Sequence, residues 1–225
     1  KIKFCGNMYI SSGGSVNSTT VVDSGNVYVS FGGTANNTVI NSYGRMHISS
    51  GGSVANTTLA SYGSASISYG GFACNTVINS QGYLSVNGMA TDTIIKGDGS
   101  MTVGYRGIAS NITVNSRGYL VMNINSGSAT GIVASSGVRL TVHVKSGSYV
   151  QGSYDGAAFE MKDAQMSGFM VANSSFLRVS SGATAIDTVV NSQGVLMVSD
   201  GGIASNTIIN SRGRLMVLSG GIASN

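Results

Sequence analysis

The sequence predicts an all-β chain, a right-handed parallel β-helix built of coils about 19 residues long. Three observations carry that expectation: a glycine that returns at a fixed step, aliphatic residues in phase with it, and an unusual composition. The 225 residues hold 33 glycines and no proline, and only 9% of them are charged. That combination excludes collagen, coiled coils and most helix-rich enzymes. At 42% hydrophobic the chain is no disordered polar tract, and it is long enough for one domain with a sizeable core.

The phrase "NSxG" anchors the repeat. Gly25, Gly44, Gly63 and Gly82 fall 19 apart, and Gly99 follows after 17, a two-residue deletion in "VNGMATDT". Gly118 and Gly137 resume the step of 19, as do Gly194 and Gly213. Four residues before the glycine stand Val21, Ile40, Leu59, Ile78, Ile95, Val114, Val133, Val190 and Ile209, all aliphatic. Two and four after it come pairs such as Met46/Ile48, Leu84/Val86 and Leu196/Val198, the alternation of a half-buried strand. Each unit therefore reads as strand, turn at "NSxG", strand, and corner at "SxGG".

One unit cannot bury its own apolar side, whereas stacked copies share a continuous core and rise about 4.8 Å per coil. The glycines are expected to supply backbone conformations that other residues resist. Asn41, Asn79, Asn115, Asn191 and Asn210 are expected to form amide ladders at the turn. Thr38, Thr57, Thr76, Thr93, Thr188 and Thr207 share the parity of the aliphatic column and should face inward. The reading is one domain, 1–225, with regular coils over 6–142 and 176–225 and irregular coils or a protruding loop over 143–175. The final "GGIASN" stops where another unit should begin, so the chain reads as a piece of a longer array.

Charge and motifs narrow the function. A net charge of +4 from scattered Lys and Arg gives no basis for nucleic-acid binding, and the apolar runs are too short to span a bilayer. Cys5 and Cys74 occupy different columns about three coils apart, roughly 14 Å, beyond the reach of a disulfide at about 7 Å. Two free thiols and no disulfide are expected. His47 and His143 are isolated, so no triad forms, and no residue set has metal or cofactor spacing. Asp155, Glu160 and Asp163 form one acidic cluster with Lys162 among them, read as a solvated edge. A polysaccharide-degrading β-helix would need such carboxylates to converge in a groove, and an ice-binding solenoid would need outward threonines.

Serine marks both corners. One row is Ser42, Ser61, Ser80, Ser116, Ser135, Ser192 and Ser211; a second is Ser11, Ser30, Ser49, Ser68, Ser180 and Ser199. Two compatible readings stand: hydroxyls that bond the turn backbone, and exposed acceptors beside glycine where a modifying enzyme can approach. Tyr43 and Tyr62 share a column in adjacent coils and should stack outside as a contact surface.

The phrases "SSGGSVANTT", "NTVINSQGYLSV" and "SGGIASNTIINSRGRLMV" resemble the passenger repeats of AIDA-type self-associating autotransporter adhesins. The resemblance covers nearly the whole chain. It implies a bacterial cell-surface passenger, held by a C-terminal barrel outside this sequence, that serves host-cell adhesion, autoaggregation and biofilm formation. It further implies O-linked heptose on repeat serines, added by a cytoplasmic heptosyltransferase; of the two rows the first is preferred because its spacing is more regular. Partners implied are a second passenger on a facing cell and a host-cell receptor; no cofactor and no enzymatic activity are expected.

Overall fold

The computed structural model describes residues 1–144, 147–172, 175–180 and 182–225. Those residues form a parallel β-solenoid of about eleven turns, with eight first-face strands in one sheet and three in another. The coil from residue 45 to 63 shows the plan. Arg45–Ile48 forms the first face, residues 49–52 make a corner, and Ser53–Leu59 supplies the second and third faces. That long strand bends at Asn56, whose φ of 52° puts one residue in the left-handed region. The chain then turns through 60–63 and stacks the next coil in register, Arg45 over Ser64 and Ile48 over Ile67.

The core follows the sequence columns. Met46, Leu84, Met101 and Leu120 stack along the first face, and Ile40, Leu59, Ile78 and Ile95 along the third, all buried. Small Ala73, Ala90, Ala109 and Ala129 fill the narrow second face. The inward threonine column is present: Thr38, Thr57, Thr76, Thr93 and Thr188 are buried, while Thr207 near the chain's end is half-buried.

The "NSxG" glycine has a different reason from the one expected. Apart from Gly137 (74°) it does not take positive φ; residues before it do, both of them at Ser42 (47°) and Tyr43 (64°) and again at Ser61 (47°) and Tyr62 (68°), and one alone at Gln81, Arg117, Gln193 and Arg212. The glycine is needed because the coil below passes too close. A Cβ on Gly63 would stand 2.0 Å from the Ile40 carbonyl oxygen, and one on Gly194 would stand 2.3 Å from that of Val171.

The amide ladder also lies elsewhere. Among the expected asparagines, Asn210 Nδ2 donates to Asn191 Oδ1 at 2.7 Å. Asn41, Asn79 and Asn115 have Ala60, Lys96 and Ser135 above them, and Asn41 Oδ1 is buried without a partner among the described residues. The longer ladder runs along the bend between the second and third faces. Asn37 donates to Asn17 at 2.8 Å, Asn56 to Asn37 at 3.2 Å, and Asn75 to Asn56 at 3.2 Å. Asn tolerates the left-handed conformation there, and its side-chain amide bonds between coils as the backbone does.

Two departures break the step. Between residues 119 and 139 the coil gains one residue, since Tyr119 pairs with Arg139. Val138, not Gly137, therefore lies over Gly118, and the buried column takes Ala134 while Val133 is 54% exposed. Ser136 likewise takes the place above Ser116 that spacing assigned to Ser135. The second departure lies within 143–175, of which residues 145, 146, 173 and 174 fall outside the described residues. There Tyr149–Tyr154, Ala157–Lys162 and Gln165–Ser167 form an antiparallel meander inside the second-face sheet.

Three strands thus replace one on that face, while the first-face sheet stops at Arg139–Val144 and restarts at Phe176–Val179. Two additional rungs amount to about 10 Å, so the core widens. Larger side chains fill it: Met161 and Met166 take the alanine column, and Phe169 packs edge-on against Phe159 at 4.9 Å. The buried Tyr154 hydroxyl donates to the Ala172 carbonyl at 2.8 Å.

Candidate modification and contact surface

Both serine rows sit at corners, but the corners hold them differently. At "NSxG" the turn closes with the glycine N–H donating to the asparagine or alanine carbonyl, as in Gly44 to Asn41 at 2.8 Å and Gly63 to Ala60 at 2.8 Å. Serine is the first central residue. Where both central residues take positive φ, as in Ser61-Tyr62, the geometry is that of a type I′ turn; where only the second does, as at Gln81, Arg117, Gln193 and Arg212, it is type II-like.

Ser61, Ser80, Ser116, Ser135, Ser192 and Ser211 are exposed, and Ser42 is half-buried. Among the described residues none of these seven hydroxyls makes a hydrogen bond. The turn is therefore closed by backbone groups alone, and hydroxyl bonding does not explain why serine stands there. The row leaves a series of free hydroxyls on one edge of the rod, interrupted at Gly97 and at the meander and with Ser135 one place out of register, each about 5 Å above the last where coils are adjacent.

At the "SxGG" corner the serine carbonyl accepts the turn bond: Gly33 N–H donates to Ser30, Gly52 to Ser49 and Gly71 to Ser68. Ser11, Ser49 and Ser68 are exposed and Ser30 is half-buried. Ser180 and Ser199 are 2% and 3% exposed. Ser180 Oγ lies 2.9 Å from His143 Nδ1 across the interrupted first face, and Arg178 reaches Ser199 Oγ at 3.4 Å. These two serines belong to packing beside the meander, not to an outward row. Sequence spacing could not separate them from Ser49, because their neighbours lie off the 19-residue step, 37 residues away for Ser180 and 21 for Ser199.

Tyr43 and Tyr62 stack outside, with centroids 4.9 Å apart and planes 7° from parallel. A second ladder on the first face, Tyr9–Tyr28–His47, was not singled out in the sequence although its members are 19 residues apart. Its rings lie 4.9 and 5.0 Å apart, and His47 Nδ1 continues the column to Ser66 Oγ at 3.0 Å. Burial, and then Arg45, hold the His47 imidazole below its usual pKa; burial and Arg178 do the same for His143.

The three acids do not all converge: Glu160 and Asp163 line one open cavity of about 500 Å³ with Lys162 and Gln165, and Asp155 stands apart. Asp155 occupies one turn of the meander and Asp163 the other, at opposite ends of the six-residue strand Ala157–Lys162, so roughly 20 Å apart. Glu160 accepts the Tyr149 hydroxyl, which raises that phenol's pKa, and Asp163 Oδ1 accepts the Gly147 N–H at 3.3 Å. Among the described residues no group of three His, Cys, Asp or Glu could hold a metal ion. Cys5 and Cys74 are free and stand in different columns.

Residues 152–205 match the family model described as "Adhesin of bacterial autotransporter system, probable stalk". Across its full length the chain is similar to the crystal structure of a TibC-catalysed hyper-glycosylated TibA fragment, at 32% identity and a TM-score of 0.58, covering 82% of that fragment. No curated protein sequence matches it.

Proposed function

The chain belongs to the AIDA-type autotransporter adhesin passengers, and from that premise we propose that it is a non-enzymatic, O-glycosylated rod that sticks cells to surfaces and to one another. As a passenger of this family it is an extracellular, cell-surface module. Its proposed acceptors are the exposed turn serines Ser61, Ser80, Ser116, Ser135, Ser192 and Ser211, with Ser42 at the edge of the row and Ser11, Ser30, Ser49 and Ser68 as a second set. A dedicated glycosyltransferase of the heptosyl type is the proposed modifying partner, a reading supported by the TibC-modified relative.

The observation that carries this reading is the row of unbonded hydroxyls on turns closed by backbone groups alone. A hydroxyl that the fold does not use is free to bear a sugar without loss of stability. Adhesion then works by repetition: weak contacts along one rod add up once a second surface is engaged. The proposed partners are a passenger on a facing cell and a host-cell receptor. The expected threonine column is buried and so offers no ice-binding face, and although Glu160 and Asp163 border one open cavity, Asp155 lies at the far end of the strand Ala157–Lys162 and does not join them.

Mass spectrometry of the passenger purified from its native surface, followed by peptide mapping, tests the proposal. The expected result is a ladder of heptose-sized additions on the exposed serines and none on Ser180 or Ser199. An unmodified mass sinks the glycosylation reading and leaves bare-protein contacts as the adhesive surface.

A further inference from the structure

The 17-residue coil has a structural consequence that the serine rows do not touch. In the coil below, four residues, Ser68 to Gly71, carry the chain from the first face to the second, and in the coil above Gly104 to Gly107 do the same. Between them the deletion leaves only Asn87 and Gly88. Both of their N–H groups donate to the Ile67 carbonyl, at 2.8 and 3.0 Å, which pulls the chain inward. Gly88 is required there, since a Cβ would meet the Ser68 carbonyl oxygen at 2.3 Å.

The outer corner is therefore missing from one coil, and a notch opens between its neighbours. Two cavities of about 300 and 370 Å³ share Tyr69, Asn87 and Arg106. Phe72, Met89 and Ile108 give one of them an apolar floor. Tyr69 and Tyr105 border the notch from the coils on either side and are 72% and 56% exposed. They are two coils apart, about 10 Å.

Polar groups converge on the same space. In lower coils the corner glycines bond upward, Gly13 N–H to Gly32, Gly32 to Gly51 and Gly51 to Gly70, at 2.8–3.0 Å. Gly70 ends that ladder, because no corner carbonyl stands above it among the described residues, so its N–H points into the notch. Asn87 adds a side-chain amide, and Arg106 adds a guanidinium whose Cζ lies 5.2 Å from the Tyr105 centroid.

The space that the missing corner leaves between the two coils, about 10 Å rung to rung, is more than a flat ring fills. A puckered six-membered sugar fits better: its C–H faces suit aromatic faces, and its rim of hydroxyls suits an N–H, an amide and a guanidinium. We propose that this notch binds a pyranose ring of a neutral glycan. Tyr69 and Tyr105 would supply the faces, and Gly70, Asn87 and Arg106 the hydrogen bonds. The proposal rests on the missing corner alone and is independent of serine modification.

Saturation-transfer difference NMR tests it on the whole chain, with methyl β-galactopyranoside, methyl β-glucopyranoside and methyl α-mannopyranoside each at millimolar concentration. At least one is expected to receive saturation on its ring C–H protons. Tyr69→Ala or Tyr105→Ala should weaken its binding about tenfold or more, as loss of an aromatic anchor does, while Phe31→Ala, at an exposed corner two coils below Tyr69, leaves it unchanged. Both notch tyrosines are exposed, and unchanged circular dichroism verifies the fold of each variant. Inserting Tyr-Gly between Asn87 and Gly88 rebuilds the corner and should abolish transfer. No transfer to any of the three, or transfer that survives both tyrosine substitutions, overturns the assignment.

Discussion

Replacing Gly63 by alanine should damage the solenoid more than replacing Gly97, although both belong to the same corner in different coils. At Gly63 the new Cβ would stand 2.0 Å from the Ile40 carbonyl oxygen. Close C–H···O contacts sit at about 3.3 Å, so adjacent coils must part by roughly 1.3 Å. Two backbone bonds hold them there: Ala60 N–H to Ile40 at 3.0 Å and Ser64 to Gly44 at 3.0 Å. Stretched by that amount both fail, at about 1 kcal/mol each, for a loss of about 2 kcal/mol. Gly97 has no such neighbour, the nearest atom being Ser80 Cβ at 3.9 Å, and its φ of 54° matches that of Ser42 and Ser61 in the same column. Alanine there costs about 1 kcal/mol for the left-handed conformation. Urea unfolding followed by β-sheet circular dichroism compares the two. Hydrogen exchange of amides 64–67 gives a local reading, because stacked coils open neighbour by neighbour. Equal stability of Gly63→Ala and Gly97→Ala would refute the claim that inter-coil spacing selects the "NSxG" glycine.

Two further outcomes are expected. Thr57 Oγ1 is buried without a hydrogen-bond partner among the described residues, so Thr57→Val should raise the urea midpoint, by about 1 kcal/mol of relieved desolvation; a lowered midpoint contradicts the unpartnered hydroxyl. The pH dependence follows from His47 and His143, whose pKa values lie below 6.5 in the fold chiefly through burial. Below pH 6.5 the unfolded chain binds more protons than the folded one, so stability is full above that value and declines as pH falls through it. Thermal melting between pH 7.5 and 5.5 should show that decline, and the double variant His47→Gln/His143→Gln should flatten it; an identical slope in the variant assigns the effect to other groups.

The sequence alone determined the coil length, the inward columns, the stacked Tyr43 and Tyr62 and the family. These follow from a repeat in which each residue meets its own copy one coil away, so spacing in sequence is spacing in space. It was silent wherever a residue's surroundings come from a different column or a broken step. The single residue gained after Tyr119 moved Val133 outward and put Ser136 in the place of Ser135, because backbone pairing and not the glycine sets the register. The meander buried Ser180 and Ser199 against His143 and Arg178, contacts made across a sheet interruption. The carbonyl under Gly63, the bend that selects Asn56, and the notch between Tyr69 and Tyr105 exist only once the coils are stacked. Periodicity names the columns; the cross-section of the closed coil decides which column turns a corner, which is buried and which is left open.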